Sequence, residues 1–164
     1  MSEQEKETIG ARIGKDIIAA MRAKDEHVLT TLRMVKSALK NKEIDKREKL
    51  TDAEEQQILT TLVKQRKESV ESFTKGGRPE LAEKEQAEIG MIEGYLPRSA
   101  DEAEIRAIVH GAIEYLQKDA DGVRPGMKDM GTMMTVTKQR IMASGLWADG
   151  KIVSDIVREE LAKK

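Results

Sequence analysis

The chain has 164 residues, of which 38% are apolar, 36% charged and only 2% aromatic, and its formal net charge is −1. This length allows one domain or two small ones, and the core must be aliphatic, with nine Met as adaptable filler. The absence of Cys excludes disulfides, Cys-ligated zinc and thiol catalysis. With a polar N-terminus and no long apolar run, the sequence predicts a cytoplasmic protein without a membrane span.

Apolar residues recur at helical spacing along almost the whole chain. A first helix is predicted over about residues 7–24 and a second over about 26–42. Thr51 and Glu54 form the pattern of a capping box, which predicts a third helix that runs to about Thr74. Pro79 suits the first turn of a fourth helix that ends before Pro97. The predicted apolar stripes of the first three helices are Ile9, Ile13, Ile17 and Met21; Val28, Leu32, Val35 and Leu39; and Leu59, Leu62, Arg66, Val70 and Phe73.

Pro97 is the strongest boundary signal, and it predicts an N-terminal domain over 1–97 and a C-terminal domain over 98–164. Ser99 as N-cap and Glu102 as its capping-box partner predict the start of a fifth helix. A sixth helix is predicted over about 128–143, and a last helix follows the GLWADG turn. No segment alternates like a strand. The prediction is therefore an all-α fold, a four-helix N-terminal part followed by a small C-terminal bundle of about three helices.

The stretch GLWADGK, residues 145–151, has the spacing of a phosphate-binding loop. Such a loop follows a buried strand and places a Ser or Thr after its Lys to hold magnesium. Here a helical pattern precedes the stretch, and Ile152 follows Lys151. We interpret the stretch as a turn in which Gly145 ends one helix and Asp149 or Gly150 caps the next.

Other chemical motifs are equally incomplete. His27 and His110 have no ligand neighbours at metal spacing, and a surface or helix-flank role is expected for both. Residues 119–126 begin like a calcium loop but lack its twelfth-position Glu, because Met130 stands there. The sequence predicts no catalytic residues, no metal site and no cofactor, and stand-alone enzyme activity is not expected.

Charge is distributed unevenly along the chain. Residues 33–49 contain seven Lys and Arg against three Asp and Glu, and residues 64–78 contain five against two. Residues 80–104 contain two against eight. Arg33, Lys36 and Lys40 fall within about 60° of one another on the second helix. They form either a surface for the nucleic-acid backbone or an ordinary solvated face with ion pairs along the helix. Because aromatics are scarce, shape and backbone contacts are more plausible than base stacking.

Three stretches in the first half, LRMVKSALKNKEI (32–44), LVKQRKESVESF (62–73) and EIGMIEGYLP (88–97), resemble the YqeY-like family of small bacterial proteins. In the second half, KDMGTMM (128–134) and ADGKIVSDIVREEL (148–161) resemble the same family. They are also similar to the tail domain of the B subunit of glutamine-dependent aspartyl/glutamyl-tRNA amidotransferase. In that enzyme, the similar region is an appended helical module that helps to hold tRNA and lacks the catalytic residues.

The resemblance implies a non-catalytic tRNA-binding or amidotransferase-accessory module, with tRNA and amidotransferase or translation proteins as partners. Its family-level label would be carbon–nitrogen ligase activity with glutamine as amido donor. The alternative is a protein-interaction module that docks a partner through the acidic segment or the Met133–Met134 pair. The candidate RNA-binding residues, chosen from charge and helix geometry, are Arg33, Lys36, Lys40, Lys64, Arg66, Lys67, Lys128, Lys138 and Lys151.

Overall fold

A computed structural model describes residues 7–163 of the chain. Within this range the fold is all-α, as predicted, with seven α-helices and no strand. The chain divides after Leu96 into two compact units. No helix in the described range is long and apolar enough to span a membrane. The helices are α1 (Ile9–Ala23), α2 (Glu26–Lys46), α3 (Asp52–Lys75), α4 (Pro79–Glu93), α5 (Glu102–Asp119), α6 (Met130–Ala143) and α7 (Gly150–Ala162).

The first unit contains α1 to α4 around an aliphatic core. In that core α1 packs mainly against α2, and α3 mainly against α4. The predicted stripe of α1 is wrong at its end, because Met21 is 52% exposed and Ala20 is buried instead. The most deeply buried residues of this unit include Ile13, Leu32, Val35, Leu59, Val63, Ile89 and Ile92.

The start of α3 follows the predicted capping box. The Glu54 backbone N–H donates to Thr51 Oγ1 at 3.2 Å, and the Thr51 N–H donates to Glu54 Oε2 at 2.8 Å. The start of α5 differs from the prediction, because Asp101 is the N-cap and Glu104 its partner. The two bonds of this box measure 2.8 and 2.9 Å.

Ser99 does not cap α5 because its backbone is extended beside the turn after α6. The Ala100 N–H donates to the Trp147 carbonyl at 2.7 Å, and the Trp147 N–H donates to the Arg98 carbonyl at 3.0 Å. This short parallel bridge delays the start of α5 by two residues.

The second unit contains α5, α6 and α7, with a short 3-10 turn, Met127–Asp129, before α6. The predicted turn at 145–151 is confirmed. Gly145 has a φ of 72°, and Asp149 Oδ1 accepts the Lys151 N–H at 2.9 Å as the N-cap of α7. The core of this unit is built from Ala100, Ile105, Val109, Ala112, Ile113, Met133, Ile141, Val153, Ile156, Val157 and Leu161.

Candidate nucleic-acid interface

Three exposed cations lie on one side of α2. Arg33, Lys36 and Lys40 occupy an arc of about 60°, over about 10 Å of helix length. No ion pair within 4.0 Å joins them to a carboxylate in residues 7–163, whereas Lys46 of the same helix lies 2.8 Å from Glu54. We call Arg33, Lys36 and Lys40 the α2 cationic face.

The candidates on α3 differ from one another in accessibility. Lys64 is exposed, and Lys67 is exposed with its ammonium 3.8 Å from Glu93 on α4. Arg66 does not reach the surface, because it is only 7% exposed. Its Nε lies 3.1 Å from Glu88 Oε2, and its Nη1 donates to the Leu62 carbonyl at 3.1 Å. Arg66 therefore serves the core of the first unit and is removed from the candidate interface.

The exposed cations of α2 and those of α3 do not form one continuous surface at the contact between these two helices. Arg66 Nη2 lies 2.8 Å from Met34 Sδ, so Met34 marks the side of α2 that faces α3. The α2 cationic face lies about 100–160° around the helix from Met34. Lys67 points toward α4 through its contact with Glu93. The α2 cationic face is therefore a candidate site separate from the cations of α3.

The three candidates in the second unit are exposed but lie on separate elements. Lys128 lies in the 3-10 turn, Lys138 in α6 and Lys151 in the first turn of α7. In the described range no carboxylate lies within ion-pair distance of these three side chains. They add positive charge to this unit without forming a shared cluster along one helix.

Sequence reasoning missed a buried carboxylate that joins α5 to α7. The side chain of Glu160 is 3% exposed, and its oxygens lie 2.8 Å from Arg106, 2.7 Å from His110 Nε2 and 2.8 Å from Lys163. The hydrogen bond from Lys163, followed by those from His110 and Arg106, lowers the pKa of Glu160 to about 2. Arg106 also bonds Glu159 at 2.7 Å. Because these side chains hydrogen-bond to one another, they link α5 to α7, and we call this link the Glu160 tie. His110 thus has a partner that sequence spacing alone did not predict.

A second buried carboxylate lies at the start of α1. Glu55 of α3 is 5% exposed, and its Oε2 accepts the Gly10 N–H at 2.7 Å. Its other oxygen is buried without a hydrogen-bond partner in the described structure. Burial raises the pKa of Glu55 above its usual range, and the charges of Asp52 and Glu43 add to this effect. Glu55 therefore caps α1 from a different helix.

A shallow groove lies on the first unit between α1, α2 and α4. Its volume is about 360 Å³. At one side the Tyr95 hydroxyl donates to Asp16, and the guanidinium of Arg12 lies 5.1 Å from the centroid of the Tyr95 ring. The groove is lined by Asp16, Ala19, Ala20, Ala23, Asp25, Val28, Leu32, Met91 and Tyr95.

The fold and these surfaces define an all-helical protein of two small units, and the cationic face of the first unit has no ion-pair partner within residues 7–163. The chain belongs to the Yqey-like protein family, whose family model matches residues 10–161. The predicted family resemblance is thereby confirmed.

Curated relatives with the name "Altered inheritance of mitochondria protein 41, mitochondrial" share part of the chain. The relative from Eremothecium gossypii is 41% identical over 102 residues, which is 59% of this chain and 56% of the relative. The relative from Lachancea thermotolerans is 40% identical over 111 residues, covering 66% and 59%. That from Pyrenophora tritici-repentis is 29% identical over 156 residues, covering 93% and 81%. The chain thus spans less than two thirds of the length of the first two.

These relatives contradict the expectation of a bacterial, cytoplasmic protein. They are fungal proteins, and their names describe them as mitochondrial. The cytoplasmic expectation rested on the lack of Cys and on a polar N-terminus, and the bacterial one on the resemblance to a family of small bacterial proteins. A lack of Cys and a polar first segment are weak constraints on location, because neither distinguishes one reducing compartment from another.

Proposed function

We propose that this protein is a non-catalytic module that binds folded tRNA through the α2 cationic face, and that it is accessory to tRNA-dependent chemistry such as amidotransfer. The observation that carries the proposal is the uncompensated charge of Arg33, Lys36 and Lys40. The sequence resemblance of residues 128–134 and 148–161, in the second unit, to the amidotransferase tail domain supports the accessory role. The buried carboxylate of the second unit, Glu160, is engaged by Arg106 and His110, which supports a structural role for these groups rather than a chemical one.

Phosphate binding explains why three cations are kept apart from carboxylates. Each cation that neutralises a phosphate releases condensed counterions, and the logarithm of the affinity then falls with the logarithm of salt by about 0.9 per contact on a duplex. Three contacts on the α2 cationic face predict a slope of about −2.7 from this face alone. Ion-paired side chains such as Lys46 would first have to leave their carboxylates.

A filter-binding titration of total tRNA at 50 and 200 mM salt tests the proposal, with salt levels chosen so that a loss of about tenfold or more is measurable. Lys36→Gln is expected to weaken binding and to reduce the salt slope by about one. Lys84→Gln is the matched control, because Lys84 is an exposed lysine on α4 outside the cationic face. Absence of tRNA binding at 50 mM salt, or equal losses in both variants, would refute the proposal.

We also propose that the two compact units are separate domains, a four-helix domain over 1–97 and a three-helix bundle over 98–164. Each has its own aliphatic core, which supports the division. The boundary coincides with Pro97, a residue that favours an extended chain before it.

A second candidate function is protein interaction through the groove on the first unit. Its lining combines apolar surface with the carboxylates of Asp16 and Asp25, which suits an apolar peptide segment that carries Lys or Arg. The Met133–Met134 pair does not support docking, because Met133 is fully buried in the core. Ala19→Arg would place a bulky cation in the groove, and this cation would repel the Lys or Arg of the partner peptide. It is expected to release such a partner while tRNA affinity stays unchanged.

A further inference from the structure

An exposed tyrosine and an exposed arginine are stacked on the second unit. The guanidinium carbon of Arg140 on α6 lies 5.3 Å from the ring centroid of Tyr115 on α5. Tyr115 is 53% exposed, and no hydrogen bond joins its hydroxyl to another residue in the described range. Arg140 is also exposed and has no ion pair there. The Tyr115 hydroxyl and the Arg140 guanidinium therefore face solvent and are accessible to a ligand.

A glycine in the middle of α5 makes room for this arrangement. A Cβ added at Gly111 would meet Arg140 Nη1 at 3.3 Å, which is closer than an ordinary contact. Glycine in a helix interior is less stable than alanine because it loses more backbone entropy on folding. The helix thus carries a destabilising residue at the position where Arg140 lies against it.

The other arginine–tyrosine pair of the protein, Arg12 and Tyr95, has hydrogen-bond partners within its own unit. At Tyr95 the hydroxyl is bound by Asp16, and Arg12 Nη2 donates to the Gly94 carbonyl at 3.4 Å. Its groups are satisfied within the first unit, and burial raises the pKa of Tyr95. Tyr115 and Arg140 have the same ring-over-cation geometry without these internal partners.

We propose that Tyr115 and Arg140, seated on Gly111, form a stacking site for one unpaired nucleobase, with the N–H groups of Arg140 donating to the adjacent phosphate. Unstacked bases of RNA loops bind to aromatic rings and to guanidinium planes, and such stacking tolerates any base because every base has a π-face. This inference rests on the proposed RNA-binding function and adds a contact of a different physical kind.

The charges around the pair are nearly balanced. Lys118 lies three residues after Tyr115 and within about 60° of it on α5, and Asp119 lies four residues after it and offsets that charge. Attraction for the phosphate therefore depends on Arg140. The contribution of Tyr115 depends on contact between π-faces, which salt screens little, whereas ionic contacts weaken steeply with salt.

Binding of a 12-nucleotide single-stranded oligo(A) to the full chain at 50 and 200 mM salt tests the site. Tyr115→Leu is expected to weaken binding at least fivefold, by a similar factor at both salt concentrations, and Tyr115→Phe is expected to bind like the unmodified protein. Tyr95→Phe is the matched control and should leave oligo(A) affinity unchanged. Emission from Trp147 and far-UV circular dichroism establish that each variant is folded.

Gly111→Ala separates a binding role from a structural one. The added methyl group requires the Arg140 guanidinium to move by a few tenths of an ångström, so oligo(A) binding should weaken while the thermal stability of α5 and its unit rises. A purely structural pair predicts that oligo(A) binding is unchanged by this substitution. This variant also provides a test if Tyr115→Leu fails to fold.

The outcomes distinguish this site from the proposed function. If tRNA binds and responds to Lys36→Gln, but oligo(A) affinity is insensitive to both Tyr115→Leu and Gly111→Ala, the stacking site is refuted and tRNA binding stands. If neither tRNA nor oligo(A) binds at 50 mM salt, the proposed function fails and the stacking site fails with it.

Discussion

Glu160 of α7 lies 2.7 Å from Nε2 of His110 on α5, although 50 residues separate them in the chain. Glu160 is almost wholly buried while His110 is more than half exposed. The same carboxylate bonds Arg106 and Lys163, so one buried acid holds three cationic or potentially cationic side chains. We therefore regard Glu160 as the main polar tie between the first and last helices of this unit.

Replacing Glu160 with Gln is expected to lower the free energy of unfolding by about 2 kcal/mol, the range for hydrogen bonds to charged groups. The effect should depend on acidity. Because the folded pKa of Glu160 is lowered from 4.5 to about 2, its stabilisation is present above pH 4.5 and is lost as the pH falls toward 2. Urea unfolding followed by Trp147 fluorescence at pH 7, 4 and 2.5 measures this loss.

Glu159→Gln is the matched control for that experiment. Glu159 also bonds Arg106, but its side chain is 58% exposed, so its loss should cost less than about 1 kcal/mol. A cost as large as that of Glu160→Gln, or a Glu160→Gln variant with an unchanged acid transition, would contradict the assignment of Glu160 as the main tie.

Glu55 is expected to affect stability with the opposite pH dependence. Its pKa is raised by burial, so its contribution is most favourable below about pH 4.5 and declines as the pH rises through the folded pKa. Glu55→Gln keeps an acceptor for the Gly10 N–H and removes the buried charge. We expect this variant to melt a few degrees higher at pH 7, equivalent to about 1 kcal/mol, and to lack the decline with pH.

Thermal melts of Glu54→Gln give the contrast. The bonds from Lys46 and Thr51 lower the pKa of Glu54, so its stabilisation appears as the pH rises and Glu54→Gln should lower the melting temperature. Circular dichroism at pH 4, 5.5 and 7 records both series. A lower melting temperature for Glu55→Gln than for Glu54→Gln at pH 7 would refute the account of Glu55.

Substitutions at Asp101 and Ser99 are expected to show which of the two residues is the N-cap of α5. Asp101→Ala removes the acceptor of the Glu104 N–H and should destabilise the unit by about 1 kcal/mol. Ser99→Ala leaves the backbone bridge to Trp147 in place and should cost less than about 0.5 kcal/mol. Urea unfolding measures both, and a reversed order would restore Ser99 as the cap.

A fragment of residues 98–164 is expected to fold without the first unit. Its core is drawn from residues within the fragment, and α5, α6 and α7 all pack on one another. The expected result is a helical circular dichroism spectrum and a cooperative melt. A fragment of residues 102–164 is the comparison, because it lacks the bonds between Arg98, Ala100 and Trp147. Non-cooperative melting of the longer fragment would show that the units are interdependent.

The spacing of apolar residues was enough to predict that the helices exist. The capping box of α3 could be located from Thr51 and Glu54 alone. The error at Ser99 has a physical cause, since a backbone bridge to a residue 48 positions later is not encoded in local sequence. Asp101 and Glu104 fit the same capping pattern as Ser99 and Glu102. Local rules could not choose between two valid starts.

The charged residues show a different limit. Arg66 was placed both in the apolar stripe of α3 and among the RNA-binding candidates, and its stripe position predicted its burial correctly. Glu160 lies three and four residues after Val157 and Ile156, and Glu55 lies four residues before Leu59, so both also occupy apolar-stripe positions. A charged residue in such a position indicates a buried group that is held by hydrogen bonds from another helix. Its partner, as with His110, requires the tertiary structure.

The bridge between Arg98, Ala100 and Trp147 bears on how this helical bundle can be joined to other proteins. Because the extended segment that leads into α5 is hydrogen-bonded to an internal turn of the same bundle, that segment belongs structurally to the bundle. A gene fusion whose junction lies before Arg98 keeps every bond of the turn, whatever sequence stands upstream. One whose junction lies after Ala100 replaces the residues that pair with the Trp147 backbone, so formation of the bridge then depends on the upstream sequence. The bridge therefore sets the point at which this bundle can be exchanged as a cassette.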